Sequence, residues 1–425
     1  MEKFIVTGGK SLQGEITPAG NKNEALPLLA AILLTEEPVI LHNLPAIGDI
    51  ESMKRILEGL GVSIRSLGGS SWEFDSSKLF SHQPDEQLSR KIRGSFLLAA
   101  ALVHRFGQTK VFVPGGDTIG KRRLDTHIIP LQKLGIEFTQ GLDFYEAKAK
   151  GLTGQYLLLD EASVMATEHI VMAAVLAKGT TTIYNAACEP HVQGLCNMLA
   201  GMGAQIQGIG SNMLLIEGVE RLSGTEHEVS PDHTEIGSLI GLAAVTHSEL
   251  TIKRPKFENL GQILPYFSRL GVEVERRGED MFIPRGQELR VKNDIDDSIT
   301  KIDDAPWPGF PADLTSIMTI VATQCEGSIL IFEKLFESRL FWVDKLISMG
   351  ARIVLCDPHR AVVSGPAKLR GMTLTSPDIR AGMALLIAAL CAEGTSEIHN
   401  IIQIDRGYEA IDQRLNALGA EIIRV

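Results

Sequence analysis

The sequence lacks several features that assign a chain quickly to a class of protein. Its 425 residues contain neither GxGxxG after a predicted strand nor GxxxxGK[ST], the two common phosphate-binding loops of nucleotide-binding folds. The longest apolar runs, such as ALPLLAAILL, have about half of the roughly 20 residues that a membrane span needs. The beginning, MEKFIVTGG, has no apolar stretch typical of a signal peptide. We therefore expect a cytoplasmic protein without membrane contact.

Cysteine is scarce and irregularly placed. There are five cysteines, an odd number, and no CxxC pair. This argues against a disulfide framework and a structural zinc site, and it favours a reducing compartment. The formal net charge of −11 argues against a general nucleic-acid binder. The sequence accordingly predicts no metal site and no nucleic-acid partner.

The sequence does contain two motifs that each occur six times. In the first, a helix end runs into a strand through a glycine, as in ILEGLGVSIR (56–65). The shared glycines are Gly61, Gly135, Gly203, Gly271, Gly350 and Gly419. In the second, an apolar helix, a polar turn and a strand follow one another, as in GSFLLAAALVHRFGQTKVFVPG (94–115). Regular self-similarity is typical of one supersecondary unit copied in series, so we predict six copies.

The copies divide into two predicted domains. Copy six stops at Val425 without the returning strand and tail that copies four and five carry. The N-terminal segment KFIVTGGKSLQGEITPAG (3–20) has the strand and tail pattern that copy six lacks. Residues 1–21 are therefore inferred to complete copy six. The expected domains are 22–230, with copies one to three, and 1–21 plus 231–425, with copies four to six. A cleft between two such domains is the expected ligand site.

The two kinds of repeated helix differ in their polarity. The first helix of each copy is apolar on every side, which is typical of a buried helix. The second helices, such as IESMKRILEGL, carry charges on one side and are expected at the surface. The predicted fold class is therefore α/β, with three repeated helix–strand units in each half.

Three of the apolar helices have a cation at or near their start. These residues are Lys22, Arg93 and Arg380. A cation there opposes the helix dipole, so stability alone would not select it. For any one of them a solvated side chain is an equal explanation. Three equivalent positions favour an anionic ligand held by helix amides and cations together.

Aspartates occupy the corresponding place in copies four, five and six. Aspartate is favoured as a helix N-cap, so capping is the usual explanation for an aspartate at this place. The three aspartates are Asp232, Asp313 and Asp378. Asp313 is the exception, because DDAPWPGFPADLTS places three prolines and a glycine before its helix. That stiff approach would fix one carboxylate in place, and we interpret Asp313 as functional.

Two further segments carry candidate residues. The loop PGGDTIGKRRLDTHI (114–128) joins glycines to Lys121, Arg122 and Arg123 in an otherwise acidic chain. A solvated basic run is the usual explanation, but the glycines favour a lid over a phosphorylated ligand. In IDRGYEAID (404–412), Arg406 starts a second-type helix, and Tyr408 is interpreted as a packing residue.

At these residues the chain resembles the UDP-N-acetylglucosamine enolpyruvyl transferase family. The resemblance covers the whole length, from LQGEITPAGNKNEALP through APWPGFPAD to DRGYEAIDQRLNALGA. It implies two inside-out α/β domains, each with three repeats around buried helices. It also implies transfer of the enolpyruvyl group of phosphoenolpyruvate to the 3-hydroxyl of UDP-N-acetylglucosamine, with release of phosphate, in peptidoglycan synthesis. The implied reaction is an addition and elimination that uses no metal and no cofactor.

The resemblance also implies roles for individual residues. The implied catalytic residues are Lys22, Asp117, Asp313 and Arg406. Substrate contacts are implied for Asn23, Arg93, Arg122, Arg123, Leu124, Asp125, Ser163, Val164, Asp313, Leu335 and Arg380. Asp49, Glu189 and Arg339 match further positions of the family. Asp313 would take the proton of the sugar hydroxyl, and arginines suit a donor with carboxylate and phosphate groups because guanidinium binds both bidentately.

The chain departs from the family pattern at several positions. Asp117 stands where most members have a cysteine that serves as an acid and as the target of fosfomycin. A carboxyl group begins near pKa ~3.9 and a thiol near ~8.5. We therefore hypothesise that Asp117 donates a proton only when bound substrate and exclusion of water raise its pKa. The other departures are Asn21, Glu24, Arg123, Met165 and Thr315.

Two alternatives stay open at this point. One is an enolpyruvyl transferase with another acceptor, such as shikimate 3-phosphate or a different UDP-sugar. The other is not an enzyme, because ring-shaped DNA clamps are also acidic and built from six repeats. Clamps line the ring with helices rich in Lys and Arg, whereas the repeated helices here are apolar.

Overall fold

The computed structural model describes residues 2–116, 120 and 122–425. The predicted loop residues Asp117 and Lys121 lie outside this set. The chain forms two compact units. The first unit contains residues 20–116 and 122–230, and the second contains 2–19, 120 and 231–425. Each unit encloses a large apolar core of its own.

The first unit consists of copies one to three. Copy one contains α1 (Lys22–Ala31), β3 (Val39–His42), α2 (Gly48–Leu60), β4 (Ser63–Gly68), β5 (Ser71–Asp75) and α3 (Glu86–Ser89). Copy two contains α4 (Leu98–Phe106), β6 (Gln108–Phe112), α5 (Asp125–Leu134), β7 (Glu137–Gln140), β8 (Phe144–Lys148) and β9 (Tyr156–Leu158). Copy three contains α6 (Val164–Ala174), β10 (Thr180–Tyr184), α7 (Pro190–Gly201), β11 (Gln205–Gln207), β12 (Met213–Glu217) and β13 (Thr225–Glu228).

The second unit consists of copies four to six. Copy four contains α8 (His233–Val245), β14 (Glu249–Ile252), α9 (Leu264–Arg269), β15 (Glu275–Arg277), β16 (Asp280–Ile283) and β17 (Lys301–Asp303). Copy five contains α10 (Thr315–Gln324), β18 (Gly327–Phe332), α11 (Val343–Met349), β19 (Arg352–Asp357), β20 (Arg360–Gly365) and β21 (Thr373–Thr375). Copy six contains α12 (Ile379–Cys391), β22 (Thr395–His399), α13 (Ile402–Asp405), α14 (Ile411–Asn416) and β23 (Glu421–Arg424), and the N-terminal strands are β1 (Lys3–Thr7) and β2 (Gln13–Ile16).

Each copy has its own small sheet, and neighbouring copies exchange strands. Over the described residues there are five sheets of four strands and one of three. The tail strand of one copy pairs in parallel with the first strand of the next, as β9 does with β10 and β17 with β18. In each unit, the tail strand of the third copy pairs with the first strand of the first copy. These pairs are β13 with β3 in the first unit and β2 with β14 in the second. Strand exchange therefore closes each unit into a threefold arrangement.

The N-terminal strands supply what copy six lacks. β1 lies between β22 and β23, antiparallel to both. β2 takes the place of the tail strand and joins the sheet of copy four. The sheet of the second copy has three strands, β6, β8 and β7, since copy one ends in the short helix α3 and not in a tail strand.

The apolar helices are buried, as predicted. Every residue of α8 is buried, and so is every residue of α12 except Cys391. The second helices bury one face only, and in α2 this face contains Ile50, Met53 and Leu57. The helices thus form the interior of each unit, with the sheets outside them. Among the described residues, none of the helices combines the length and the apolar character that crossing a bilayer would require.

The repeated glycines end the second helix of each copy in a left-handed turn. All six have positive φ, from 77° at Gly271 to 113° at Gly135. Residues with a Cβ adopt this conformation at a cost of about 1–2 kcal/mol. The backbone requires a positive φ at this position, which explains why glycine recurs there in all six copies.

Two of these glycines allow a matched test of the requirement. Gly203→Ala is expected to destabilise the first unit by about 1–2 kcal/mol, because a Cβ there meets no atom within 4 Å and only the φ of 103° is unfavourable. Gly61→Ala is expected to destabilise it more, because its Cβ would lie 2.8 Å from the Lys78 carbonyl oxygen. Urea midpoints of both variants provide the comparison. Equal midpoints would show that close approach of the backbone at Gly61 contributes nothing.

Candidate active site

An aspartate held by two arginines forms the centre of the site in the second unit. Asp313 lies in a 3₁₀ turn just before α10. Its Oδ1 accepts hydrogen bonds from Arg339 Nη1 and Nη2, both at 3.0 Å. Its Oδ2 accepts one from Arg380 Nε at 2.9 Å. Burial alone would raise the pKa of Asp313, but the charges of Arg380 and Arg339 outweigh it and hold the pKa well below its usual range.

The two other helix-start aspartates are caps, as predicted. Asp232 Oδ1 accepts from the backbone N–H of Thr234 at 2.8 Å. Asp378 Oδ1 accepts from the N–H groups of Arg380 and Ala381 at 2.8 and 2.9 Å. Among the described residues, Asp313 accepts no such cap bond and bonds to Arg339 and Arg380 instead.

Arg380 links Asp313 to a buried hydroxyl pair. Its Nη1 donates to the Tyr408 hydroxyl at 3.3 Å, and that hydroxyl lies 2.9 Å from Ser238 Oγ. Tyr408 is fully buried, so the prediction that it packs in the core is confirmed. Burial opposes the charge of Arg380, but Asp313 and Tyr408 raise the pKa of its guanidinium overall. The cation at this helix start is therefore compensated by Asp313.

Arg406 lies at the end of α13, directly after Asp405. Its side chain is half-buried, and Nη1 donates to Gln403 Oε1 at 2.8 Å. The structure thus places Arg406 at the C-terminal end of a one-turn helix. The expectation that it begins a second-type helix was wrong, because α14 begins only at Ile411. The left-handed residue Ala410, with φ 40°, separates the two helices.

In the first unit, Lys22 and Asp49 form a nearly buried ion pair. Lys22 is the first residue of α1, and its Nζ lies 2.7 Å from Asp49 Oδ2. Asp49 lies in the first turn of α2. A cation that opposes a helix dipole is therefore stabilised by a carboxylate from the next helix. Asn23, the partner of Lys22 in the predicted pair, follows it on α1 and is partly buried.

The unusual neighbours of Lys22 have structural roles. Asn21 is the N-cap of α1, and its Oδ1 accepts from the Glu24 N–H at 3.0 Å. The buried Glu24 carboxylate accepts from the Ser230 N–H at 3.3 Å and lies 3.2 Å from His227 Nε2. Both departures from the family pattern thus fix the beginning of the helix that carries Lys22.

Arg93 and Arg122 bring two cations together. Arg93 Nη2 donates to the carbonyl oxygens of Arg122 and Arg123, at 3.1 and 3.3 Å. Burial and the nearby charge of Arg122 lower the pKa of Arg93 to about 10. The Arg93 guanidinium nonetheless stays charged near neutral pH, and with Arg122 beside it this place in the first unit favours an anion.

The described glycines of the predicted lid allow close approach. A Cβ on Gly115 would lie 1.9 Å from the Arg90 carbonyl oxygen. A Cβ on Gly116, which has φ 115°, would lie 2.8 Å from Arg122 Nη2. The paired glycines therefore let the chain pass beside Arg122 in a tight turn.

The residues after the loop lead into two helices. Arg123 is exposed and donates to Asp160 at 2.9 Å and to Asp125 at 3.3 Å. Asp125 is the first residue of α5, and Leu124 before it packs against a small core cluster around Phe96. In the other helix, Ser163 caps α6 and Val164 is its first residue.

The remaining sequence-predicted positions lie in both units. Leu335 in the second unit is 43% exposed, and its N–H donates to Asp304 at 3.2 Å. Thr315 is buried as the first residue of α10, and Met165 packs against the core of the first unit. Within the described part of the chain, no group of three His, Cys, Asp or Glu side chains could hold a metal ion. The absence of a metal requirement stays a prediction.

Sequence reasoning missed two buried acids beside these residues. Burial, followed by the charges of Glu189 and Glu24, raises the pKa of Glu168 well above its usual range. In the second unit, burial raises the pKa of Glu333 to about 9 although the charge of Arg339 lowers it. The Glu333 carboxyl is therefore protonated at neutral pH. No local signal marks them, because their burial depends on contacts between distant segments.

The protonated state of Glu333 predicts a pH dependence of stability. Its pKa is about 9 when folded against 4.5 for an ordinary Glu, so the folded chain keeps a proton that the unfolded chain loses. Stability is therefore lost as the pH rises from about 4.5 to about 9, with a slope near 1.4 kcal/mol per pH unit. Glu333→Gln removes this loss, and its advantage over the parent chain should grow across that range. Thermal midpoints between pH 5 and pH 9 measure it, with Glu279→Gln, at an exposed turn, as the control. A constant difference between Glu333→Gln and the parent chain would contradict the expectation.

Comparisons with known proteins agree with this arrangement. The EPSP synthase family, described as 3-phosphoshikimate 1-carboxyvinyltransferase, matches residues 6–415. A UDP-N-acetylglucosamine 1-carboxyvinyltransferase from Bacteroides fragilis is 54% identical over 100% of both chains. Proteins of the same name from Borreliella burgdorferi and Bradyrhizobium diazoefficiens are 52% and 51% identical, over 100% of this chain and 99% and 98% of theirs. These relatives favour the transferase over the ring clamp, and they favour a UDP-sugar acceptor over shikimate 3-phosphate.

Solved structures show the same fold. The enolpyruvyl transferase NikO from Streptomyces tendae is similar with a TM-score of 0.89 at 22% identity, over 100% of this chain and 99% of that one. EPSP synthase from Acinetobacter baumannii is similar with a TM-score of 0.76 at 16% identity, over 100% of both chains. The predicted fold class is thereby confirmed. The chain belongs to the enolpyruvyl transferases, and within them to the family of the UDP-N-acetylglucosamine 1-carboxyvinyltransferases.

Proposed function

We propose that the chain transfers the enolpyruvyl group of phosphoenolpyruvate to the 3-hydroxyl of UDP-N-acetylglucosamine and releases phosphate. The observation that carries this proposal is an ionised aspartate held by two buried arginines at a helix start, in a chain whose full-length relatives bear that enzyme's name. The reaction needs a base for a sugar hydroxyl and cations for a donor with two anionic groups. The candidate site supplies both kinds of group.

The cations would bind the donor. Lys22 and Arg93 with Arg122 supply positive charge in the first unit, and Arg380 and Arg406 supply it in the second. A carboxylate and a phosphate each accept two parallel hydrogen bonds from a guanidinium. Asn23, Arg123, Leu124, Asp125, Ser163, Val164 and Leu335 would contact the nucleotide sugar.

Asp313 would take the proton from the 3-hydroxyl. A carboxylate with two arginine partners is a weak base, since its pKa lies far below neutral. Binding of the donor changes this, because a donor carboxylate or phosphate competes with Asp313 for the guanidinium of Arg380. Asp313 then loses part of its compensating charge, and its pKa rises. The donor would thus activate the base, which favours binding of both substrates before proton transfer.

Asp117, which lies outside the described residues, would protonate the methylene carbon of the donor. Asp117→Asn is expected to lower kcat by about 10²-fold or more, because general acid catalysis contributes that much. Initial rates and the KM of each substrate measure this. The companion expectation is insensitivity of the parent chain to fosfomycin, because a carboxylate is a poor nucleophile toward its epoxide. Full turnover of Asp117→Asn, or rapid covalent inactivation at Asp117, would contradict the assigned role.

A phosphate-release assay tests the proposed function. Purified protein is given phosphoenolpyruvate with UDP-N-acetylglucosamine, with a different UDP-sugar, or with shikimate 3-phosphate. Phosphate release is expected with UDP-N-acetylglucosamine at a kcat/KM far above that with the other two. Preference for another acceptor would replace the proposed substrate and keep the reaction, whereas absence of release with all three would refute the reaction.

A cytoplasmic location belongs to the same proposal. All five cysteines are free, which is usual for a protein of a reducing compartment. Four of them are buried or partly buried, and Cys356 is exposed.

A further inference from the structure

The segment that carries Arg406 has little regular structure of its own. It runs from the end of α13 at Asp405 to the first turn of α14 at Asp412. Within it, Ala410 has φ 40° and ψ 43°, a left-handed conformation that a residue with a Cβ adopts at a cost. Such a conformation persists only where the surroundings enforce it. The support for this segment must therefore come from other parts of the second unit.

Arg424, the last residue of β23, supplies that support with both edges of its guanidinium. Nη1 and Nη2 donate to the two carboxylate oxygens of Asp405, at 2.9 and 2.8 Å. Nε and Nη2 donate to the two carboxylate oxygens of Asp412, at 3.2 and 3.1 Å. One side chain thus bonds bidentately to the first and to the last residue of the segment.

The position of Arg424 is itself well fixed. β23 pairs antiparallel with β1, and Arg424 lies opposite Phe4 in that register. The guanidinium carbon lies 4.8 Å from the centre of the Phe4 ring. The hydrogen bonds that Arg424 donates to Asp405 and Asp412 raise the pKa of its guanidinium above the ordinary value, so its charge is permanent. Glu2, an exposed residue, adds a third carboxylate at 3.0 Å.

A second arginine holds the same segment from the other side. Arg414 Nη1 donates to the Glu409 carbonyl oxygen at 3.4 Å, and the side chain pairs with the buried Glu235 of α8. Arg414 Nη1 holds a backbone atom of the segment, whereas Arg424 holds the carboxylate of the residue directly before Arg406. Arg424 therefore fixes the residue that leads into Arg406.

We infer that Arg424 is a positioning residue that fixes Arg406 for the anionic donor. This inference rests on the proposed function, in which Arg406 binds phosphoenolpyruvate. Only a planar guanidinium can bond bidentately to two carboxylates at once, because lysine offers a single ammonium group. Replacement of the guanidinium by an ammonium group would remove both bidentate pairs. Asp405, and with it Arg406, should then be held less firmly, while the positive charge at position 424 is kept.

Arg424→Lys is the variant that tests the inference, because it keeps the positive charge and removes the bidentate hydrogen bonds. The KM for phosphoenolpyruvate is expected to rise about tenfold, with the KM for the nucleotide sugar and the thermal midpoint nearly unchanged. Arg424→Met should raise the donor KM further. In an Arg406→Lys background, Arg424→Lys should add little, because coupled residues are not additive. Arg290→Ala is the control, since it removes another arginine–carboxylate pair of the second unit, in which Nε and Nη2 both donate to Glu326 Oε2.

Three outcomes would overturn the inference. These are a donor KM within twofold of the parent in folded Arg424→Lys, an equal rise in both KM values together with a lower thermal midpoint, or full additivity with Arg406→Lys. If the parent chain releases no phosphate, the proposed function fails, and titration with phosphoenolpyruvate alone still tests the positioning role. Arg424→Lys should then weaken donor binding about tenfold, and unchanged binding would refute the role.

Discussion

Replacing Asp313 by asparagine is expected to lower kcat by about 10²- to 10⁴-fold, the range attributed to a positioned general base. Asparagine keeps the shape of the side chain and can still accept a hydrogen bond from Arg339 or Arg380. It cannot take a proton from a sugar hydroxyl. The substitution also leaves two buried arginines without their shared carboxylate, so a lower thermal midpoint is expected as well.

A matched control separates the chemistry from the structural change. Asp232→Asn alters another aspartate at the start of a buried helix, where asparagine caps as well as aspartate does. Its kcat should stay within about threefold of the parent. Initial rates at saturating substrate and titrations with each substrate measure both variants. If Asp313→Asn turned over like Asp232→Asn, Asp313 would not be the base.

Replacing Lys22 by glutamine is expected to lower kcat by about 10²- to 10³-fold. A fixed cation aimed at developing negative charge has an effect of this size. Lys22 lies at the positive end of α1 and is nearly buried against Asp49, so its charge is held in place and poorly screened. Glutamine keeps most of the length and loses the charge. The effect should appear mainly in the donor KM and in kcat.

Loss of the ion pair with Asp49 also affects the stability of the single variant, and two further variants separate this effect from turnover. Lys22→Gln with Asp49→Asn removes both charges and should restore stability without restoring turnover. Lys54→Gln is the control, because Lys54 is an equally buried lysine that pairs with Glu51 and lies 3.3 Å from the centre of the Trp72 ring. It should reduce stability and leave kcat unchanged. Recovery of turnover in the double variant would show that Lys22 acts only on stability.

Much of the fold could be predicted because its determinants are local and repeated. The helix-ending glycine is required by a positive φ, and an all-apolar helix has no face that tolerates water. Both features recur in every copy, so six aligned segments support each inference. The late beginning of α14 at Ile411 could not be predicted, because a left-handed alanine at position 410 has no sequence signal.

The candidate site was predicted in part. Repetition aligned Lys22, Arg93 and Arg380 at helix starts, and proline density singled out Asp313. The charge partners of Asp313 could not be predicted from local sequence, since Arg339 and Arg380 are separated from it by 26 and 67 positions. The resemblance to a family supplied roles for these residues, and repetition alone did not.

By itself the sequence determined the six copies, the buried helices and the places where charge stands at a helix start. These follow from backbone geometry and from the avoidance of water, which act over a few neighbouring residues. Only the tertiary structure decided which carboxylate compensates which cation, that Glu333 keeps its proton, and that Arg424 holds the ends of the Arg406 segment. The physical reason is that charge pairing and burial depend on distances between segments remote in sequence, and only the folded chain brings those segments together.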